Sequence, residues 1–316
     1  MRHAAALFVM LLGLPTQDVP YSIRLDVPLV SVDFTVTDAS GKAVTDLNQY
    51  DFEVLDNGQS RPIVNFSPVA TPYNMLALLD CSGSTQDRVS MLLSVTARFA
   101  DQLRKQDKAA IAIFGSDIEM VVDWDGKQKH VNTTTSPACN GTSFYKAVLW
   151  AVKKFNGIKG RRGVVVLSDG KDSDMARNNV RVDGVTIRRI VPPEQDSEFQ
   201  KVLKTVRDSN IPFYFVAVDT DLNPGKDYAG PVPDLQQTRA RLEQLAAQSG
   251  GRIVYPKTPG EVVPMILQFG QDLGISYSVG FAPANPKDHS PHEFEIRVRG
   301  ADRYVVKQSK TAYAMQ

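Results

Sequence analysis

The chain has 316 residues, 42% of them hydrophobic and 22% charged, a globular composition long enough for one large core and a second, smaller one. Lysine and arginine number 36 against 35 aspartates and glutamates, leaving a net charge of +1. This balance removes the electrostatic ground for a nucleic-acid or anionic-membrane partner.

The first residues, "MRHAAALFVMLLGLPTQDVP", set Arg2 and His3 before an apolar run from Ala4 to Leu14. That order is the one of a secretory leader, and the run is too short to cross a bilayer as a helix. The expectation is a leader over 1–19, export to the periplasm or medium, and no transmembrane segment in the mature chain. Residues 22 to 70 read as β-rich: Val30, Val32, Phe34 and Val36 alternate with polar or small neighbours, and "DASGK" and "DNG" supply turns. From Tyr73 apolar strands alternate with amphipathic helices, the pattern of an α/β domain with a mostly parallel, doubly wound sheet. The expected strands are "YNMLALLD", "KAAIAIFG", "GVVVLSDG", "PFYFVAVD" and "RIVYP". Helical spacing predicts helices over 86–104, 143–156, 197–209, 235–249 and about 260–273. Pro264 argues that the last of these starts later than its pattern suggests. Trp150 lies off the apolar face of its helix, which suits an aromatic half-covered by a loop better than a partner contact. Two long connections, 170–197 and 219–236, read as surface loops, with "NNVRVDGVTIRRI" able to form an extra hairpin. After Leu273 the segments "YSVGF", "HEFEIRVRG" and "RYVVKQS" return to period two. Because one strand pair on each side would be marginal alone, the economical organisation is a small β-sandwich built from 20–72 and 274–316, with the α/β domain, 73–273, inserted in it.

Ligands of doubly wound sheets bind beyond the carboxyl ends of the strands, where strand order reverses. Asp80 ends the first central strand and is followed by Ser82 and Ser84; "LSDG" delivers Asp169 to the end of another; "CNGTSFYKA" puts Thr142 in a loop before a helix. Carboxylate and hydroxyl oxygens without histidine or thiolate suit a hard divalent cation, Mg²⁺ first, with Mn²⁺ and Ca²⁺ as alternatives. The helix starting near Thr85 would add free N–H groups at the same place.

Asp80-Cys81-Ser82-Gly83-Ser84, then Thr142, then Asp169 in "LSDG", resembles the metal-ion-dependent adhesion site of von Willebrand factor type A domains, over roughly 73 to 273. The resemblance implies that Ser82 and Ser84 bind the metal directly, Thr142 directly or through water, and that Asp80 and Asp169 mostly hold coordinated waters. It also implies a sixth position filled by an acidic residue of a protein partner. The flanks, "VDFTVTDASGKAVTDL..DFEVLDNGQ" before and "YSVGF" after, are similar to the acidobacterial-type von Willebrand A-related subgroup. Cys81 in the variable motif position and the two long insertions depart from the commonest pattern.

Asp80 and Asp169 taken singly are ordinary turn formers at strand ends; Asp172 and Asp174, close by, either add a carboxylate behind the site or, the better-supported reading, are exposed loop residues. Cys81 and Cys139 either bridge in an oxidising compartment or stay two thiols, a matter of geometry. His3, His130, His289 and His292 match no zinc spacing, and no nucleophile elbow, phosphate loop or dinucleotide glycine motif is present. The expectation is a non-enzymatic, exported, metal-dependent binding or adhesion protein. The alternatives are a Mg²⁺-dependent phosphotransferase or hydrolase using Asp80, with Lys171 near the phosphate, and a module that the metal merely stiffens.

Overall fold

The computed structural model describes residues 29–82, 104–127, 139, 141–218, 232–288, 290–300 and 303–314. The expected leader, residues 86–103 of the expected helix over 86–104, the connection 219–231 and Ser84 lie outside the described residues, as do His3, His130 and His289.

Four strands come first, β1 (Val30–Thr37), β2 (Phe52–Asp56), β3 (Gln59–Arg61) and β4 (Ile63–Ser67). The middle of the chain carries β5 (Tyr73–Asp80), β6 (Lys108–Phe114), β7 (Ile118–Val122), α1 (Phe144–Lys154) and β8 (Arg161–Ser168). It continues with β9 (Arg177–Val182), β10 (Val185–Ile190), α2 (Ser197–Ser209) and β11 (Phe213–Ala217), then α3 (Val232–Ser249), β12 (Ile253–Val254) and α4 (Pro259–Gly274). Last come β13 (Tyr277–Phe281), β14 (Pro291–Val298), β15 (Val305–Gln308) and β16 (Ala312–Ala314).

The central sheet runs β12-β11-β8-β5-β6-β7. All its pairings are parallel except the antiparallel edge β7, a strand the sequence reading did not separate from β6. β5 is buried along its whole length, and its period of two divides it between two cores. Leu76 and Leu78 join Phe144, Ala147, Val148 and Ala151 of α1 and Phe199, Val202, Leu203 and Val206 of α2 on one face. Met75, Ala77 and Leu79 meet Val262, Ile266, Phe269 and Leu273 of α4 on the other. Each helix therefore buries one stripe at the three- and four-residue spacing that its sequence predicts. α4 corrects one expectation: it begins at Pro259 and contains Pro264. Only one ladder bond, to the carbonyl four residues back, is forfeited there, and the stripe from Val262 to Leu273 holds the turn in place.

The chain's two ends interleave. One antiparallel sheet has the order β15-β1-β13-β4 and the other β16-β14-β2-β3, with Val30 opposite Phe281 and Phe52 opposite Val298. Phe34, Phe52, Tyr277, Phe281, Phe294 and Ile296 fill the space between the sheets; the Phe34 and Phe52 rings meet edge to face at 5.0 Å. The β2–β3 hairpin turns on Asn57 and Gly58, both at positive φ, as the "DNG" signal requires.

Candidate metal centre

The strand that starts at Tyr73 is apolar from Met75 to Leu79 and then delivers Asp80, whose carboxylate is fully buried at the carboxyl end of the sheet. Its Oδ1 accepts from the Ser82 backbone N–H at 2.9 Å, an Asx turn that curls the chain over the strand end. Its Oδ2 accepts from Ser168 Oγ at 2.6 Å, and Ser168 Oγ in turn accepts from the Gly170 N–H at 2.9 Å. Ser168 thus ties the ends of β5 and β8 together. Sequence reasoning missed it although it stands inside "LSDG"; a small hydroxyl residue closing an otherwise apolar strand was the available signal. Gly170 needs its glycine: φ is +73°, and a Cβ there would lie 2.8 Å from the Leu242 side chain.

Asp169 follows at 1% exposure. Its Oδ1 accepts from the Lys171 N–H at 3.0 Å and its Oδ2 takes the Lys171 ammonium at 2.7 Å. Because β5 and β8 are parallel neighbours and β6 departs on the far side of β5, Asp80 and Asp169 share the crevice at the point where strand order reverses. Thr142 is held beside the same loop: its carbonyl accepts from the Ser173 N–H at 3.0 Å, and the Ser143 N–H donates to Gly115 O at 2.6 Å. Ser82 is 2% exposed. Four of the five predicted positions, Asp80, Ser82, Thr142 and Asp169, are therefore carried by the β5 and β8 ends and the loop before α1.

Asp172 was expected in an exposed loop; it is 3% exposed. Its Oδ2 accepts from the Tyr145 N–H at 2.7 Å and its Oδ1 from the Asp174 N–H at 2.6 Å. Ser143 supplies no side-chain cap to α1, so a carboxylate from the neighbouring loop takes that role at the positive end of the helix. Asp174 is exposed as expected. Cys81 and Cys139 form a disulfide, Cα to Cα 4.9 Å, which joins the first motif to the segment leading to Thr142. Among the histidines only His292 is described; it lies in the sandwich, its Nδ1 3.1 Å from Asp56 Oδ1. Trp150 is half-buried against the α1 core.

Burial, and after it the charge of Asp169, pushes the Asp80 carboxyl up to about 6, against the pull of its bonds to Ser168 and Ser82. Two buried carboxylates facing one crevice create an excess of negative field that a divalent cation neutralises, and the nearby Ser82 and Thr142 offer neutral oxygens to complete a shell. The donor set fits a hard cation. Among the described residues no three His, Cys, Asp or Glu side chains gather to hold a metal.

Residues 75–171 match the von Willebrand factor type A domain. The matched stretch runs from the strand bearing Asp80 to two residues past Asp169, so all five candidate positions fall within it. No curated protein matches the chain. Among solved structures the chain is similar to the pilus adhesin SpaC from Lactobacillus rhamnosus GG, open conformation, at 10% identity and TM-score 0.48, covering 86% of this chain and 49% of that one. It is similar to the ArnB paralog VWA2 from Sulfolobus acidocaldarius at 13% identity and TM-score 0.46, covering 92% and 76%. A third likeness, at 11% identity and TM-score 0.43 over 68% and 48%, is to proximal thread matrix protein 1 from the mussel byssus with a zinc-occupied MIDAS motif. The chain spans about half the length of the pilus adhesin. Likenesses this distant carry no information on ligand or activity. The fold is a largely parallel α/β sheet, matched over residues 75–171 by the von Willebrand factor type A domain, accompanied by two four-stranded antiparallel sheets and a two-stranded antiparallel hairpin. No helix among the described residues is long and apolar enough to cross a membrane.

Proposed function

We propose that this is an exported, non-enzymatic binding protein that recognises a protein or surface ligand through a divalent cation, Mg²⁺ first, held by Asp80, Ser82, Ser84, Thr142 and Asp169. The observation that carries the reading is the pair of buried carboxylates at the adjoining ends of β5 and β8, with Ser82 and the Thr142 loop beside them. Hydroxyl ligands are neutral, so a cation bound mainly through them keeps much of its charge and favours a carboxylate arriving from outside. The partner is accordingly a protein that presents an acidic residue. The apolar run after Arg2 supports export, and the flanking "VDFTVTDASGK" and "YSVGF" segments support kinship with the acidobacterial-type subgroup. The bonds from Ser82 and Ser168 to Asp80, together with its burial, favour a positioning role over nucleophilic attack.

The test is calorimetric titration of Mg²⁺ and Mn²⁺ into the wild type, Ser84→Ala and Asp169→Ala, followed by capture of partners from cell envelope and medium with and without chelator. Both variants should lose metal and partner binding together, with circular dichroism and urea unfolding run beside the titration to separate loss of the site from loss of the fold, because Asp169 is buried. Unchanged metal affinity in both would remove the site. Capture that persists in chelator would leave the metal a stiffening role only.

A further inference from the structure

The loop that carries Asp169 and Asp172 runs directly into the hairpin of β9 and β10, which forms a two-stranded sheet of its own. Asp183 and Gly184, both at positive φ, make its turn, and Val182 pairs with Val185. Six residues per strand at about 3.4 Å each give an arm of about 20 Å. Every residue of β9 is exposed, as are Val185, Thr186 and Arg188 of β10. Both ends of the arm start from the rim that holds Asp80 and Asp169: it leaves after β8 and returns to the first turn of α2.

The base of the arm is clamped. Arg241 is fully buried in α3; its Nη2 donates to Asp196 Oδ2 at 2.9 Å and to Val191 O at 2.9 Å, and its Nε to the Tyr145 hydroxyl at 2.9 Å. Asp196 Oδ2 also accepts from the Ala176 N–H at 3.2 Å and from the Tyr145 hydroxyl at 2.9 Å, while Asp196 Oδ1 caps α2 through Phe199. Val191 N–H donates to Ala176 O, closing the stem, and Asp234 takes the Ile190 N–H. A buried ion pair is at best a weak source of stability, but here it fixes the direction of an otherwise solvated arm beside the metal crevice.

Cross-strand partners share a face. One face of the arm therefore holds Arg181 with Thr186, Asn179 with Arg188, and Arg177; the other holds Val180 with Ile187 and Val182 with Val185. Val180, Val182 and Val185 are 40%, 43% and 62% exposed. With Arg189, the arm has four arginines against the single carboxylate of Asp183, in a chain whose charges otherwise nearly cancel. A two-stranded ribbon is marginal in water without something packed on it, and its outer edges have no strand partner among the described residues.

We infer that the β9–β10 arm is a docking surface for an extended, acid-rich segment of the ligand protein, whose carboxylates lie along Arg177, Arg181 and Arg188 while another reaches the metal crevice. This rests on the metal-dependent reading for the crevice. Charge complementarity selects an acidic partner. The arm has no aromatic side chain on which bases stack, and the chain lacks the positive excess of a nucleic-acid binder, so the occupant is a protein segment.

The experiment uses the full chain and two fluorescent probes, a twelve-residue peptide of alternating aspartate and valine and a twelve-nucleotide oligothymidine, read by anisotropy at low salt in Mn²⁺ or in chelator. Wild type should bind the peptide, with affinity falling as salt rises. Arg181→Gln/Arg188→Gln should weaken it about tenfold with Mn²⁺ affinity by calorimetry unchanged. Equal peptide binding by that variant and wild type, no binding by wild type, or tighter binding of the oligonucleotide would each overturn the inference. Peptide binding lost in chelator but indifferent to the arginines would leave the metal reading standing alone. Binding that survives chelator but needs the arginines would sink the metal reading and keep the arm.

Discussion

Reducing the bond between Cys81 and Cys139 isolates what holds the first motif in place. The bond closes a loop of 58 residues; in the chain-entropy treatment this constraint on the unfolded state is worth about 4 kcal/mol at room temperature. Both cysteines lie in the apolar core beneath α4, where an alanine pair introduces no buried polar group. Urea unfolding of the Cys81→Ala/Cys139→Ala variant, compared with the oxidised wild type, should show a loss approaching that figure. Wild type unfolded with reductant should follow the variant, and thiol titration of the denatured, unreduced protein should find no free cysteine. Because Cys81 sits between Asp80 and Ser82, metal affinity should fall as well. Coincident unfolding curves for oxidised protein and variant, or two titratable thiols per chain, would refute the reasoning.

Three other outcomes follow from buried charge. Arg241→Met strands the Asp196 carboxylate inside the protein and should cost about 3–5 kcal/mol in denaturant unfolding; adding Asp196→Asn should recover part of that, and strict additivity of the two would count against a coupled pair. Lys171→Met removes an ammonium 2.7 Å from Asp169, so Mn²⁺ should bind about five- to tenfold tighter by calorimetry at low salt, the gain shrinking as salt is added; equal affinities would show that the lysine does not face the cation. Burial pushes the Lys310 ammonium down to about 8, with Asp33 resisting. Its folded form sheds a proton that the unfolded chain keeps up to about pH 10.4, so its cost is full below pH 8 and gone above the unfolded value. Lys310→Met should then stabilise the protein at pH 7 by about 1–2 kcal/mol, allowing for its partial exposure, and the difference from wild type should vanish above pH 10.5; a constant difference across that range would rule the charge out as its cause.

The strands and helices that were legible are those whose periodicity is enforced by two apolar layers. Tyr73 to Asp80 could be bounded from sequence because every residue of it is buried, and Asp80 stood out because the five residues before it, Met75 to Leu79, are all apolar. β7 was not legible: its residues are all half-buried, and an antiparallel edge strand directly after β6 needs no crossover to announce it. Asp172 could not be told from a loop residue, since what buries it is the backbone of α1, 27 residues earlier. Arg241 was hidden for the opposite reason. It occupies a stripe position of α3 between Thr238 and Leu245, and a charge on an apolar stripe was the sign of a partner such as Asp196. The Cys81–Cys139 geometry lay beyond sequence because it depends on how closely the loop before α1 passes the end of β5.

The interleaving of the two ends orders events in time. β1 has both its neighbours, β13 and β15, in the last part of the chain, with Val30 meeting Phe281 across some 250 residues. A ribosome therefore releases β1 long before anything exists to pair with it. The central sheet, whose β5, β6 and β8 are nearer one another in sequence, is complete while that strand still waits. Pairings between such distant segments are slow because loop closure must precede their reward, and an unpaired strand is an invitation to wrong partners in the interval. Strands made some 250 residues later are thus the ones that seal β1 in, and a chain stalled or clipped before Val305 would emerge with its α/β sheet built and β1 open along one side.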